Sequence, residues 1–459
     1  MKKPVPNLRV LAVQTVFVLA ALLVSPFTLQ ASKEMDALLK VLLLRNIITQ
    51  EDVDAIKAEA AAIVEEEAKE AERQPAQPEV VEVPAPAAPE SPIQISDKVE
   101  SVNLYANARI RYHHQELTFH EALLPANAKQ VQRRTRPLYR LKLGSVTQFK
   151  DSPLSFGAQL ETATTNDSTN ADFGGFWDKL GGGINVGRLY LNYQVDDDFL
   201  VTVGKHQGIY KLPNMLWGGD MNPEGISETW TMGPAVIHAG QYLIDNENES
   251  KATLYDGDVG DDYMFILQAV LSLGDLTVAP LFMTSIGDGQ SIYPERGSFS
   301  GVNSLPYFRN FDVGLLIWDY DMGPGKIFGA LGRNFENKSL QNNPASPFYD
   351  ATRSGEDRGN LAQLGYQHGA ARLKGQSQWS VEYRYIEGAA YSPNLTDPDW
   401  SRGMLNQSGL ILNYKYQLTD FLQFGATFME GSVIDEAYYS RASGITESDL
   451  ILLDAMLSF

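Results

Sequence analysis

The stretch NMLWGGDMNPEG, Asn214–Gly225, sets Asp220, Asn222 and Glu224 at alternate positions among glycines. Oxygen donors so spaced suit a hard divalent cation, and paired carboxylates suit proton transfer. Asn-Pro with a following Gly also suits a loop folded for another purpose. A second acidic run, YDGDVGDDY, gathers Asp256, Asp258, Asp261 and Asp262 but lacks the closing glutamate of the helical calcium loop. It reads as a solvated loop or as a bridge to ions. The 459 residues include no cysteine, which excludes a thiolate metal site, a disulfide framework and a cysteine nucleophile. Among six histidines, His113 and His114 are adjacent and would point to opposite faces of a strand, so they cannot chelate one metal together. No Ser-His-Asp spacing stands out. Neither an enzyme, a cofactor nor a metal centre is expected.

A further set of residues could act through charge alone. Arg109, Arg111 and His113 alternate along VNLYANARIRYHH, Arg140 and Lys142 alternate along RPLYRLKLG, and Arg188 follows in VGRLYLNYQ. On strands each set shares one face, with Leu104, Ala106, Ala108, Ile110 and Tyr112, then Tyr139, Leu141 and Leu143, on the other. A column of guanidinium groups in a restricted aqueous path lowers the barrier to anions. The competing outcome is that these bases pair with acids on the same inner faces, Glu161, Glu228, Asp312, Glu382 and Asp454, and only stiffen a wall. The net charge of -20 weighs against strong anion selectivity and against nucleic acid as a partner.

The elements that must position these residues are legible along the chain. Residues 1–31 read as a signal peptide, with Lys2, Lys3 and Arg9 before the apolar run Leu11 to Val24 and cleavage after Ala31. Residues 32–73 read as a periplasmic helical segment. Thr49 is the N-cap of its second helix, and Val53, Ile56, Ala60 and Ile63 follow a coiled-coil seam that breaks at Glu67. That helix either oligomerises or packs on its leucine-rich neighbour. Residues 74–95 form a Pro-rich linker.

From 96 to 459 the chain reads as an all-β, antiparallel transmembrane β-barrel. The first two strands are predicted over 101–114 and 137–148. Short turns fall at 150–153, 195–198, 233–234, 274–275, 322–325, 373–376 and 418–420. Long polar segments alternate with them at 115–136, 165–183, 209–224, 245–262, 287–308, 337–359, 388–405 and 434–447. That rhythm gives about sixteen strands, and a soluble sandwich has no reason to keep it. Ile451, Leu453, Ala455, Leu457 and the terminal Phe459 share one face of the last strand, an ending that looks like the signal for barrel insertion. Tyr139, Tyr190, Tyr193, Trp318, Tyr320, Tyr383, Tyr385, Tyr414 and Tyr416 are placed to supply interfacial girdles.

The run GRLYLNYQVDDDFLVTVGKHQGIYKLPNMLWGGDMNPEGIS, residues 187–227, resembles the porin family of Gram-negative outer membranes. Two strands, the second ending in Gly204-Lys205, lead into a segment matched by Leu216, Trp217, Asp220, Asn222, Pro223, Glu224 and Gly225. The IITQED helix, the Pro-rich spacer and RRTRPLYRLKLG are similar to that family too, whereas Gly218-Gly219 depart from its bulkier or acidic residues. The arginines alone suggest a more distant similarity to phosphate-selective porins. The resemblance implies a homo-oligomeric porin, a trimer by analogy, passing small hydrophilic solutes amid outer-membrane lipid and lipopolysaccharide. In trimeric porins the third long loop commonly folds into the lumen. Carried over, this makes Lys211, Trp217, Asp220, Asn222 and Glu224 candidate constriction residues. The alternative is a loop capping the rim, with Asn222-Pro223 and Gly225 as turn chemistry. A second function also stays open, an envelope tether whose N-terminal helices bind peptidoglycan or another periplasmic partner.

Overall fold

Strands alternating apolar and polar residues bury one face only when paired, and pairing leaves no open edge only when the sheet closes on itself. The structure, a computed structural model, describes residues 96–120, 129–163, 169–173, 183–245, 262–286, 311–335, 358–392, 395–400, 403, 405–435 and 445–459. The expected signal peptide, helical segment and Pro-rich linker lie outside the described residues, as do Asp256, Asp258 and Asp261 of the acidic run.

β1 (Val99–Phe119) and β2 (Val131–Phe149) form a long hairpin. β3 (Leu154–Ala163), β4 (Ala171–Asp172), β5 (Gly183–Gln194), β6 (Phe199–Lys205), β7 (Glu224–Met232) and β8 (Ala235–Asp245) follow. The circuit continues through β9 (Asp262–Leu273), β10 (Leu276–Ile286), β11 (Asp312–Asp321), β12 (Gly325–Asn334) and β13 (Asn360–Gly369). β14 (Ser377–Ile386), β15 (Gln407–Gln417), β16 (Leu422–Val433) and β17 (Ile445–Ser458) complete it. β4 pairs with β2 at Leu138 and Tyr139, just beyond the reach of β3, and so continues the line of β3. Sixteen full strands therefore close an antiparallel barrel, with β17 returning to β1. The terminal Phe459 exchanges backbone hydrogen bonds of 2.9 and 3.1 Å with Ala106 at that seam.

All seven expected short turns and all eight long connections fall between the strands as predicted. The first long connection is shorter than expected, because β1 and β2 stay paired in register out to Thr118 and Val131. There Glu116 accepts a 2.8 Å bond from Arg133 on the facing strand.

Register assigns the faces. Leu104, Ile110, Leu143, Leu189, Leu316 and Leu364 stand exposed on the outside, whereas Arg109, Arg111, Lys142, Gln159 and Glu161 are buried within. Of the tyrosines expected to form girdles, Tyr193, Tyr320 and Tyr383 are exposed on the outside, whereas Tyr190 is not. It faces the lumen and lies over Gly157, where a Cβ would meet its ring. Two acids expected inside also face out. Glu228 pairs with Val201 and Ala239 between exposed Ile226 and Trp230, and Asp312 pairs with Thr284. In both strands the period-two count slips by one from the assumed phase, and such a slip carries every side chain to the opposite face.

The inner wall has two different halves. From β9 to β11 it is largely apolar, through Met264, Ile266, Leu281, Met283, Val313 and Leu315, and the same buried cluster runs on to β17 with Gln363, Glu382, Arg384 and Asp454 set beside it. From β1 to β6 it is polar.

Candidate functional site

The third long connection, residues 206–223, leaves and re-enters the wall at Gly204 and Gly225, which face each other in register on β6 and β7. A Cβ on Gly204 (φ 118°) would stand 2.4 Å from the Leu189 carbonyl oxygen, and one on Gly225 2.0 Å from that of Gln241. Only glycine lets the chain turn off the wall there.

The loop then crosses the lumen. At one side, the backbone of Lys211 donates to and accepts from the side chain of the fully buried Gln268 on β9, both at 2.8 Å, and its ammonium pairs with Asp319 on β11. In the middle, Met215 and Leu216 bury completely in the apolar cluster, and Trp217 packs against it. At the other side, Asp220 accepts bonds from Lys142 (2.8 Å), Arg140 (3.1 Å) and Thr169 (2.8 Å). Asn222 accepts one of 2.9 Å from Arg188. The loop is thus pinned to opposite walls.

Burial alone would raise the Asp220 carboxyl, but the Lys142 and Arg140 charges and the bonds from Lys142 and Thr169 outweigh it and hold it well below the usual carboxylate range. Glu224, named with the constriction candidates, lies at the end of the loop. It begins β7, on the same outer face as Ile226, and pairs with Lys205, its in-register partner at the end of β6.

The basic residues divide by partner. Arg111 is fully engaged, by Asp454 at 2.7 and 2.8 Å and by Asp399 at 2.9 Å. Lys142 lies 3.5 Å from Glu161 as well as bonding to Asp220. For these two, pairing that stiffens the wall is what occurs. Arg109 differs, being 8% exposed with one 2.5 Å bond to Asn170 and no carboxylate partner among the described residues. His113 is buried on the same face, and His114 points outward to Thr135 at 2.6 Å.

The sequence reading missed a second in-folded segment. Residues 387–406 form the seventh long connection, and Tyr391, Trp400 and Leu405 bury there against the apolar wall. Arg384 on β14, 2% exposed, donates to Glu382 (2.7 Å) and to Asp397 (2.9 Å) and lies 5.6 Å from the Trp400 ring. The Asp397 amide donates to the Met215 carbonyl, which ties the two loops together. Burial raises the Asp397 carboxyl despite the opposing Arg384 charge.

The two shifts predict how the loops respond to acid. A depressed carboxyl loses its stabilising charge only as pH falls through its folded value, which for Asp220 lies below the usual carboxylate range. A raised carboxyl binds its proton more tightly when folded, so acidification favours the seated form at Asp397. Both loops are expected to stay seated from neutral pH down to about pH 4.5. Limited proteolysis at the two pH values checks this, and new cleavage within 206–223 or 387–406 at the lower pH would contradict it.

No family model matches the chain, and no curated protein does. Among solved structures, the barrel is similar to Salmonella typhi OmpF in complex with daunomycin, at 11% identity and TM-score 0.46, covering 78% of this chain and 97% of that one. It is similar to OprB of Pseudomonas putida at 9% identity and TM-score 0.47, covering 78% and 94%. A triple mutant of the Rhodopseudomonas blastica porin aligns at 12% identity and TM-score 0.42, over 78% and 100%. The closed barrel itself rests on the strand pairing, with β17 returning to β1.

Proposed function

We propose that this barrel is a porin of a Gram-negative outer membrane, a channel for passive diffusion of small hydrophilic solutes. The belt of exposed leucines, isoleucines and aromatics around a closed wall suits hydrocarbon, and closure satisfies the backbone there. The observation that carries the channel reading is the loop 206–223, pinned to the lumen wall at both ends by Lys211 and Asp220. With the apolar half of the wall covered by the two in-folded loops, the aqueous path runs along the polar half, past Arg109, Arg140, Lys142 and Arg188. Lys211, Trp217, Asp220 and Asn222 then form part of its narrowest level, and Glu224 does not.

A modest anion preference follows from Arg109 and Arg188, which bond to Asn170 and Asn222 and have no carboxylate partner among the described residues. Reversal potential in a salt gradient across planar bilayers tests it. Arg109→Ala is expected to shift the potential toward cation preference. Arg140→Ala is expected to shift it less, because Arg140 already faces Asp220. A potential indifferent to both changes would sink the basic-wall reading.

A further inference from the structure

Arg109 is held differently from the paired bases around it. It faces Arg140 in register across β1 and β2, and like charges so opposed repel. Its bond of 2.5 Å runs to the side-chain oxygen of Asn170, and its Nε is buried with no partner. Asn170 lies in the described part of the second long connection, residues 169–173, and the wall holds that segment in place. Thr162 donates to the Thr169 carbonyl at 3.0 Å, Ala171 is fully buried where β4 pairs with β2, and the Phe173 amide donates to the Pro137 carbonyl at 3.2 Å. Thr169, 4% exposed, donates to Asp220. Two adjacent residues of one connection thus touch both the uncancelled cation of the wall and the acid of the crossing loop.

An amide oxygen and a carboxylate can both fix a guanidinium in position, but only the carboxylate cancels its charge. Arg111, held by Asp454 and Asp399, therefore adds little net charge to the lumen, whereas Arg109 adds nearly a full one. We infer that Asn170 is a specificity-determining residue of the pore, a positioning group that fixes Arg109 while leaving its charge uncancelled. This rests on the channel reading above. Asp454 and Asp220 already attract Arg109 without bonding to it. Once the Asn170 oxygen is gone, the guanidinium is drawn to one of these acids and its charge is cancelled there. A substitution that alters no charge at position 170 thus lowers the anion preference through Arg109.

Reversal potential in a potassium chloride gradient across planar bilayers tests this with the full-length chain. Asn170→Ala is expected to shift the potential toward cation preference by at least about half of the shift that Arg109→Ala produces, with conductance retained. Asn170→Ser, whose shorter side chain cannot reach the guanidinium, is expected to do the same and serves if the alanine variant does not fold. In an Arg109→Ala background either change is expected to add nothing, because Asn170 acts only through that arginine. Asn107→Ala is the matched control. Asn107 accepts from Arg140 at 2.7 Å, but Arg140 is already paired with Asp220, so little shift is expected. A wild-type potential in the conducting variants, the same shift with Arg109 already removed, or an equal shift from Asn107→Ala would each overturn the inference. A wild-type chain that does not conduct would instead sink the channel reading, and the inference with it.

Discussion

Asp220→Asn is expected to give a channel with larger and noisier single-channel conductance and a stronger preference for anions. The carboxylate is the shared acceptor of Arg140, Lys142 and Thr169, and Lys142 and Arg140 are themselves mostly buried. Asparagine keeps the size but removes the charge, leaving two cations facing each other across the space it occupied. Breaking one partner of a largely buried ion pair costs about 3 kcal/mol, roughly a hundredfold in the balance between seated and released loop. Release is not complete, because Met215, Leu216 and the Lys211–Gln268 bonds still hold the other end. The loop is therefore expected to fluctuate at its Asp220 end, which reads as open-channel noise and as more proteolysis near Gly218-Gly219. The selectivity change has a separate cause, the two bases freed toward the aqueous path. If Asp220→Asn leaves both conductance and selectivity unchanged, the crossing loop does not border the solute path.

The same loop shows how far the sequence could be read. The rhythm of short turns and long connections is local chemistry, carried by Gly, Pro and Asp at strand ends, and it gave the strand number and the third loop directly. Asp220 and Asn222 were found as candidates because their types are unusual among glycines. Their partners were invisible, because Arg140, Lys142 and Arg188 lie 34 to 80 residues away in the chain and come together only through barrel closure. Faces were harder. Glu228 and Asp312 went to the wrong side because a period-two pattern gives alternation without saying which phase points inward. The seventh loop was missed for a different reason, although a signal existed. LTVAPLFMTSI and DVGLLIWDYD are apolar at successive positions, so both faces of β10 and β11 are apolar. A strand apolar on both faces must be covered on both, and in a wide barrel the inner cover can come only from a loop. Met283 and Leu315 were in effect announcing Tyr391, Trp400 and Leu216.

Arg384→Met is expected to damage the fold more than any other single change in the lumen. The guanidinium is 2% exposed, donates to Glu382 and Asp397 at once, and lies against Trp400. Methionine fills similar volume but leaves two buried carboxyls with no cation between them, a loss of about 3–5 kcal/mol. Lysine does not rescue it, since a single ammonium cannot reproduce the planar fork or its stacking on the indole. With Asp397 unseated, its amide no longer holds the Met215 carbonyl, so damage at the seventh loop spreads to the third. The measurable outcome is a fall of several degrees in the temperature at which the folded barrel loses its compact migration in detergent gels, with new cleavage in both loops. The decisive control is the triple variant Arg384→Met, Glu382→Gln, Asp397→Asn. If the penalty is an uncompensated charge, neutralising both acids restores most of the lost stability, because the remaining amides can bond to each other and to Gln363, now 2.5 Å from Glu382. A triple variant as unstable as the single one would mean that the arginine acts by packing on Trp400, and the charge account of the second loop would be wrong.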